Sequence, residues 1–195
     1  MNMFLTIILA VGAYFVGSIS FSYLLTKKVT GEDIRNLDLK NAGALNVILN
    51  VNKRVGAVVG LLDLLKTLLI VLIGEALGLS PVYVIVAASF GVIGHCFPVY
   101  HKFYGGKGAA SVIGVLIYYI PLELVLSVIP AALFAALIHR LGTTPVFMFL
   151  FSPFLAWLLE EPTALVWGAA YLAVLIGLLN AFIIWTRRDH KFLPQ

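Results

Sequence analysis

The chain has 195 residues, 62% of them hydrophobic and only 11% charged, with a formal net charge of +4. Soluble domains carry about 45–50% apolar and about 25% charged residues, so composition excludes a water-soluble globular enzyme and predicts an all-α polytopic membrane protein, one integral domain over 1–195. The lone cysteine, Cys96, excludes an internal disulfide framework and a CxxC metal site.

The apolar spans run over 3–26, 55–78, 82–100, 109–138, 143–159 and 163–186. Most reach the roughly 20 residues a helix needs to cross a bilayer. Backbone groups in lipid must be satisfied internally, which predicts helices. The runs are continuous rather than alternating, so a strand barrel is not indicated. The first span is not a cleavable signal, because Met1-Asn2-Met3 carries no basic residue. Its Gly17, Ser18 and Ser22 suit close helix packing.

The stretch 27–54 follows, the only substantial polar segment of the chain. Asn41 and Asn46 bring amide donors and acceptors, and Gly43 permits close backbone approach. Lys40, Lys53 and Arg54 are cations for a site or for anionic lipid; for the last two, which abut a helix start, lipid contact is the stronger reading. In the second span Asp63 and Lys66 stand three apart on one helical face. Ionisable residues within a membrane segment are functional candidates, with an internal ion pair as the structural reading.

The third span ends in a polar, glycine-rich break from Gly94 to Ser111. Adjacent glycines in Gly105-Gly106-Lys107-Gly108 let N–H groups turn inward as an anion nest. A helix starting at Gly108 or Ala109 adds its orphan N–H groups and dipole, and Lys107 adds a full charge. The spacing is not that of a Walker A loop. The competing reading is a flexible loop with a snorkelling lysine; nearby His95, Pro98 and Lys102 favour phosphate binding. His95 itself reads as a general base, a phosphate donor or a satisfied core group. None of the four histidines is followed by aspartate at the His-x₄-Asp offset. No Ser-His-Asp or metal-ligand cluster is apparent, so a covalent or metal mechanism is not indicated; no cofactor and no nucleic-acid partner are expected.

The stretch 109–138 holds Pro121, Glu123 and Pro130. Reading it as two crossings places Lys27, Lys28, Arg35, Lys40, Lys53, Arg54, Lys102, Lys107, Arg140, Arg187, Arg188 and Lys191 on one side. Glu75, Glu123, Glu160 and Glu161 then fall on the other. This predicts seven segments, with the N-terminus outside, the C-terminus in the cytoplasm and the 27–54 and 99–108 loops cytoplasmic. The fourth segment, about 109–120, covers only about 18 Å. Such a piece must be buried in protein or line a wet cavity.

Taken together, these segments resemble the acyl-phosphate:glycerol-3-phosphate acyltransferase (PlsY) family of bacterial membranes. The family's G-S-I-P-F-G appears as Gly17-Ser18-Ile19-Ser20-Phe21-Ser22. Its G-H-x-x-P-x-x-x-x-F-x-G-G-K-G matches at Gly94, His95, Pro98, Phe103, Gly105, Gly106, Lys107 and Gly108. Its L-D-x-x-K element is Leu62-Asp63-Leu64-Leu65-Lys66. Its S-G-N-x-G-A-T-N-x-x-R loop keeps Asn41, Gly43, Ala44 and Asn46, while leucine stands at 39, 45 and 49 in place of serine, threonine and arginine.

The resemblance implies transfer of an acyl group from acyl phosphate to glycerol 3-phosphate, giving lysophosphatidate in the inner membrane. It implies His95, Lys107 and Asn41 as catalytic residues. Gly105, Gly106, Gly108, Lys102, Lys40, Gly43, Asn46 and Ser18 would bind substrate, and Asp63–Lys66 would be a supporting ion pair. Losing a bidentate arginine removes phosphate contacts worth about 1.5–3 kcal/mol each. A different acyl acceptor is therefore the second reading. A lipid- or anion-binding or transport protein on the same scaffold is the third, separated from the others by a turnover assay.

Overall fold

The computed structural model describes residues 2–139 and 143–188, without the side chains of 187 and 188. Of the cations in the charge count, Arg140, Lys191 and the side chains of Arg187 and Arg188 lie outside the described residues.

The described residues form nine α-helices: α1 (Asn2–Gly17), α2 (Phe21–Thr30), α3 (Ala44–Asn50), α4 (Lys53–Ala76), α5 (Pro81–Cys96), α6 (Ala109–Tyr119), α7 (Pro121–Leu137), α8 (Thr144–Leu158) and α9 (Thr163–Arg188). Short 3₁₀ turns occupy Ile34–Asn36 and Val99–His101. Among the described residues four stretches are long and apolar enough to cross a membrane: Asn2–Thr30, Lys53–Ala76, Pro81–His101 and Thr163–Thr186. The helices α6, α7 and α8 are apolar but shorter. Large apolar side chains cover the outer faces, as at Trp167 and Trp185 on α9; this surface suits lipid rather than water.

The first span is not one helix, as the sequence predicts for 3–26, but two. The chain breaks at 18–20, where Ser20 caps α2 by accepting the Tyr23 N–H at 3.4 Å. Two contacts hold the chain at the break. A side chain at Gly17 has no room, because its Cβ would lie 2.1 Å from the Gly91 carbonyl oxygen of α5. The carbonyls of Gly17 and Ile19 are also taken by the Lys66 ammonium of α4, at 3.0 Å each.

The predicted division of 109–138 appears as α6 and α7, joined at Ile120–Pro121. Proline at the first position of α7 lacks an N–H that would have no partner there anyway. Glu123 does not lie on an exposed turn: it stands in the first turn of α7 and is buried. A carboxylate there faces the positive end of the helix dipole. At the same end of the bundle Tyr119 donates to Glu75 Oε1 at 2.5 Å, tying α6 to the end of α4. The buried core runs through α1, α4, α5, α6 and α9, with α7 and α8 on its flank. A smaller cluster of Ile34, Ala42, Val47 and Val59 anchors the 31–50 segment on α4.

Candidate active site

At the C-terminal end of α5 a buried polar cluster joins three elements. The Lys66 Nζ lies 2.8 Å from Asp63 Oδ1, 3.0 Å from each of the Gly17 and Ile19 carbonyls and 3.1 Å from His95 Nδ1. The expected Asp63–Lys66 pair is therefore present, with His95 as a third member whose Nδ1 is 3.4 Å from Asp63 Oδ1. All three side chains are buried. Removing one charge from such a pair leaves the other uncompensated and costs several kcal/mol, about 3–5.

The glycine loop is built against this cluster. After α5 the chain turns through 99–101 and comes back. Gly105 N–H donates to the Cys96 carbonyl at 3.2 Å, and Gly106 N–H donates to the His95 carbonyl at 3.1 Å. Of the nest predicted over Gly105–Gly108, the Gly105 and Gly106 N–H groups are thus already taken, because both bond to the end of α5. The glycines answer to space instead. A Cβ on Gly106 would lie 2.1 Å from His95 Nε2 and 2.8 Å from the Ala42 carbonyl oxygen. Donors for an anion come one step later. Gly108 is left-handed at φ +81 and opens α6, whose first-turn N–H groups have no acceptor within the helix. Lys107 is exposed beside them. It is held by its carbonyl, which accepts from Asn180 Nδ2 of α9 at 3.0 Å.

The 31–43 segment closes onto this loop. Ala42 N–H donates to the Gly105 carbonyl at 3.3 Å, and Tyr104 OH donates to the Lys40 carbonyl at 2.7 Å. Arg35 donates to the His101 carbonyl at 3.0 Å and to both oxygens of Asp33, with its guanidinium over the Tyr23 and Tyr104 rings. Burial opposes the charged form of Asp33, but the Arg35 hydrogen bonds and charge outweigh it and hold the carboxyl below its ordinary range.

The predicted site residues divide sharply. Asn41 is buried beside the glycine loop, and its Oδ1 accepts no hydrogen bond from the described residues. Asn46, also predicted to bind substrate, is instead a strut. Its Nδ2 donates to the Ile34 and Asn41 carbonyls at 2.9 and 2.8 Å, and its Oδ1 accepts from Asn50. Ser18 is fully buried, donates to the Tyr14 carbonyl at 2.8 Å and accepts from Val99 N–H; it fastens α1 to the loop after α5 and has no free face for substrate. Gly43 caps α3. Lys40 and Lys102 are exposed, both with left-handed backbones, and among the described residues neither ammonium makes a polar contact.

Asn180 and Arg35 escaped the sequence reading as site residues. An amide inside an apolar span was the available signal for the first. For Arg35 nothing local distinguished it from its basic neighbours. Beyond Lys107 opens an apolar cleft of about 190 Å³ lined by Lys107, Ala109, Pro145, Val146, Phe149, Leu150, Ala173, Ile176, Gly177 and Asn180. One end is charged and the rest is hydrocarbon, the profile of a long-chain amphiphile. Among the described residues no group of three metal-ligating side chains occurs.

A family model described as glycerol-3-phosphate acyltransferase matches residues 7–191. The glycerol-3-phosphate acyltransferase of Mycoplasma capricolum subsp. capricolum is 34% identical over 93% of this chain and 77% of that protein. That of Thioalkalivibrio sulfidiphilus is 37% identical over 77% of this chain and 78% of its own length. In three dimensions the chain is similar to the crystal structure of PlsY (YgiH), an integral membrane glycerol 3-phosphate acyltransferase, in its glycerol 3-phosphate form. The TM-score is 0.79 at 25% identity, covering 97% of this chain and 95% of that one. The lysphosphatidic acid form of the same enzyme superposes with a TM-score of 0.77.

Proposed function

The chain belongs to the glycerol-3-phosphate acyltransferase family and is a multi-pass membrane acyltransferase; from that premise we propose that it transfers a fatty acyl group from acyl phosphate to the 1-hydroxyl of glycerol 3-phosphate. The phosphate of the donor sits at Lys107 and the first turn of α6, where charge, N–H groups and helix dipole coincide. The acyl chain lies in the cleft between α6, α8 and α9.

One observation carries the reading. The Ala42–Gly105 hydrogen bond holds the buried, unpartnered Asn41 Oδ1 next to the loop that ends in Lys107. A buried acceptor without a partner costs about 1–3 kcal/mol, so the site is built for a donor that arrives with the substrate. The acceptor hydroxyl is such a donor. Its oxygen attacks the carbonyl carbon, the carbon–oxygen bond to phosphate breaks, and phosphate leaves with the electron pair and takes the proton. The donor is already activated, so positioning and charge stabilisation supply the rate without a covalent intermediate.

Seven crossings, with the 27–54 and 99–108 loops facing the cytoplasm, complete the proposal. The seven apolar helices α1 and α4 to α9, together with the basic residues of those loops, support it. The water-soluble acceptor would then enter from the cytoplasm and the acyl chain from the inner membrane.

A second reading keeps the reaction and changes the acceptor. Leu39, Leu45 and Leu49 are exposed by 39%, 48% and 61%. They present apolar surface where the PlsY-type pattern has two hydroxyls and an arginine, which favours a less anionic alcohol. Purified protein in liposomes, supplied with acyl phosphate and then with glycerol 3-phosphate or neutral alcohols, separates the readings by phosphate release and product analysis. Lysophosphatidate formation supports the first. A neutral ester as sole product supports the second, and release with no acceptor at all refutes both.

A further inference from the structure

His95 has two ring nitrogens in different surroundings. Nδ1 faces the Lys66 ammonium at 3.1 Å. A proton on Nδ1 would point at that ammonium, and Asp63 Oδ1, at 3.4 Å, is the longer and weaker of the two contacts. A lone pair on Nδ1 fits, because Lys66 then donates to it. The cluster then holds one carboxylate, one ammonium and one neutral ring, which balances charge where burial makes imbalance costly. The proton of the neutral ring consequently sits on Nε2. That nitrogen abuts Gly106, where a Cβ would be only 2.1 Å away, and among the described residues no hydrogen bond to it is formed. His95 is about nine-tenths buried, with 8% of its surface exposed.

We propose that Lys66 is a positioning residue that fixes His95 in the Nε2–H tautomer, so that His95 presents a hydrogen-bond donor to the glycine loop and cannot act as the general base. The ligand oxygen it meets is anionic: a phosphate oxygen of the donor or the oxyanion formed as the carbonyl is attacked. The reach across Gly106 explains why this position has no side chain. It also explains why the proton of the acceptor leaves with phosphate, since the only lone pair on the ring is held by Lys66. Lys66 also supports the backbone, because its ammonium takes the Gly17 and Ile19 carbonyls at the break between α1 and α2. The inference rests on the acyl-transfer reading for its substrate, but not for its tautomer.

Two measurements test it. The first needs no activity and no folded variant of Lys66. Nitrogen-15 spectra of histidine-labelled wild-type protein in lipid, with His95 assigned by the signal lost in His95→Gln, report which nitrogen carries the proton. A protonated Nε2 with a bare Nδ1 is expected; a proton on Nδ1, or on both nitrogens, overturns the proposal. The second is a double-mutant cycle on kcat. Lys66→Met is expected to lower kcat by about tenfold or more, part of the 10²–10³ that a lost oxyanion donor costs. In a His95→Gln background, where the glutamine amide reaches the Nε2 position without help, Lys66→Met should change kcat less than about twofold. His95→Asn, whose amide stops at the Nδ1 position, should be slower than His95→Gln. Additive losses in the cycle would show that Lys66 serves only the α1–α2 break and would overturn the role assigned to it. If wild-type protein transfers no acyl group while the spectra show Nε2–H, the acyl-transfer reading fails and the tautomer stands.

Discussion

Replacing Gly106 by alanine tests how tightly the glycine loop is fitted to the histidine beneath it. The added Cβ would stand 2.1 Å from His95 Nε2, 2.9 Å from its Cε1 and 2.8 Å from the Ala42 carbonyl oxygen. Ordinary contact begins near 3.4 Å, so the ring or the loop must give by about 1.3 Å. The ring cannot retreat without stretching its contact to Lys66, and the loop cannot lift without releasing Gly106 N–H from His95 and Ala42 N–H from Gly105. Overpacking of this kind costs about 1–3 kcal/mol, and the two hydrogen bonds are worth a similar sum, about 0.5–1.5 kcal/mol each. Felt at the site, that range corresponds to a loss of roughly 5- to 150-fold. The assay is phosphate release in lipid, run beside thermal unfolding. Gly12→Ala is the control: its Cβ meets nothing within 4 Å on the exposed face of α1, and alanine is favoured there by about 0.8–1.0 kcal/mol. Wild-type kcat in Gly106→Ala, or equal losses in the two variants, would refute the close fit of loop and ring.

Further outcomes follow from the same geometry. Lys107→Ala should raise KM for acyl phosphate with unfolding unchanged, because an exposed ammonium is lost; a charged hydrogen bond of about 1.5–3 kcal/mol corresponds to roughly ten- to a hundredfold. Asn41→Ala should lower kcat/KM and leave stability intact, since its Oδ1 has no protein partner. Asn46→Ala should do the opposite in a melting experiment, losing about 1–3 kcal/mol for each buried carbonyl left unpaired. Acid should loosen the 31–43 segment. The Asp33 carboxyl is held below its ordinary value, so its contribution is complete above the unfolded value of about 3.9. That contribution fades as pH falls through the lower folded value. Limited proteolysis should therefore find the segment protected at neutral pH and cut in strong acid, with Arg35→Gln cut at both. Leu49→Arg, if the loop still binds glycerol 3-phosphate, should lower its KM; no change in KM would favour the neutral acceptor.

The apolar helices were legible because hydropathy is a local property. Runs of some 20 apolar residues forecast α1, α4, α5 and α9, and Pro121 with Glu123 forecast the division between α6 and α7. The break within the first span was not legible. Gly17, Ser18 and Ser22 look like small packing residues until Lys66, 47 to 49 positions away in sequence, claims the Ile19 and Gly17 carbonyls. Glu123 looked like an outward charge because nothing local marks its burial.

The sequence by itself determined that the chain lies in a membrane, that its polar chemistry gathers in two loops and in an Asp63–Lys66 pair within the second span, and that a lysine follows two glycines at a helix start. Tertiary structure alone decided what each polar group is free to do. Gly105 and Gly106 offer no N–H to an anion because the end of α5 takes both. Asn46 is occupied and Asn41 is not, although the same residue type stands five positions apart. His95 faces Lys66 on one nitrogen and the glycine loop on the other. The physical reason is saturation: each N–H donates once, and whether it meets a ligand depends on which distant carbonyl or side chain has reached it first.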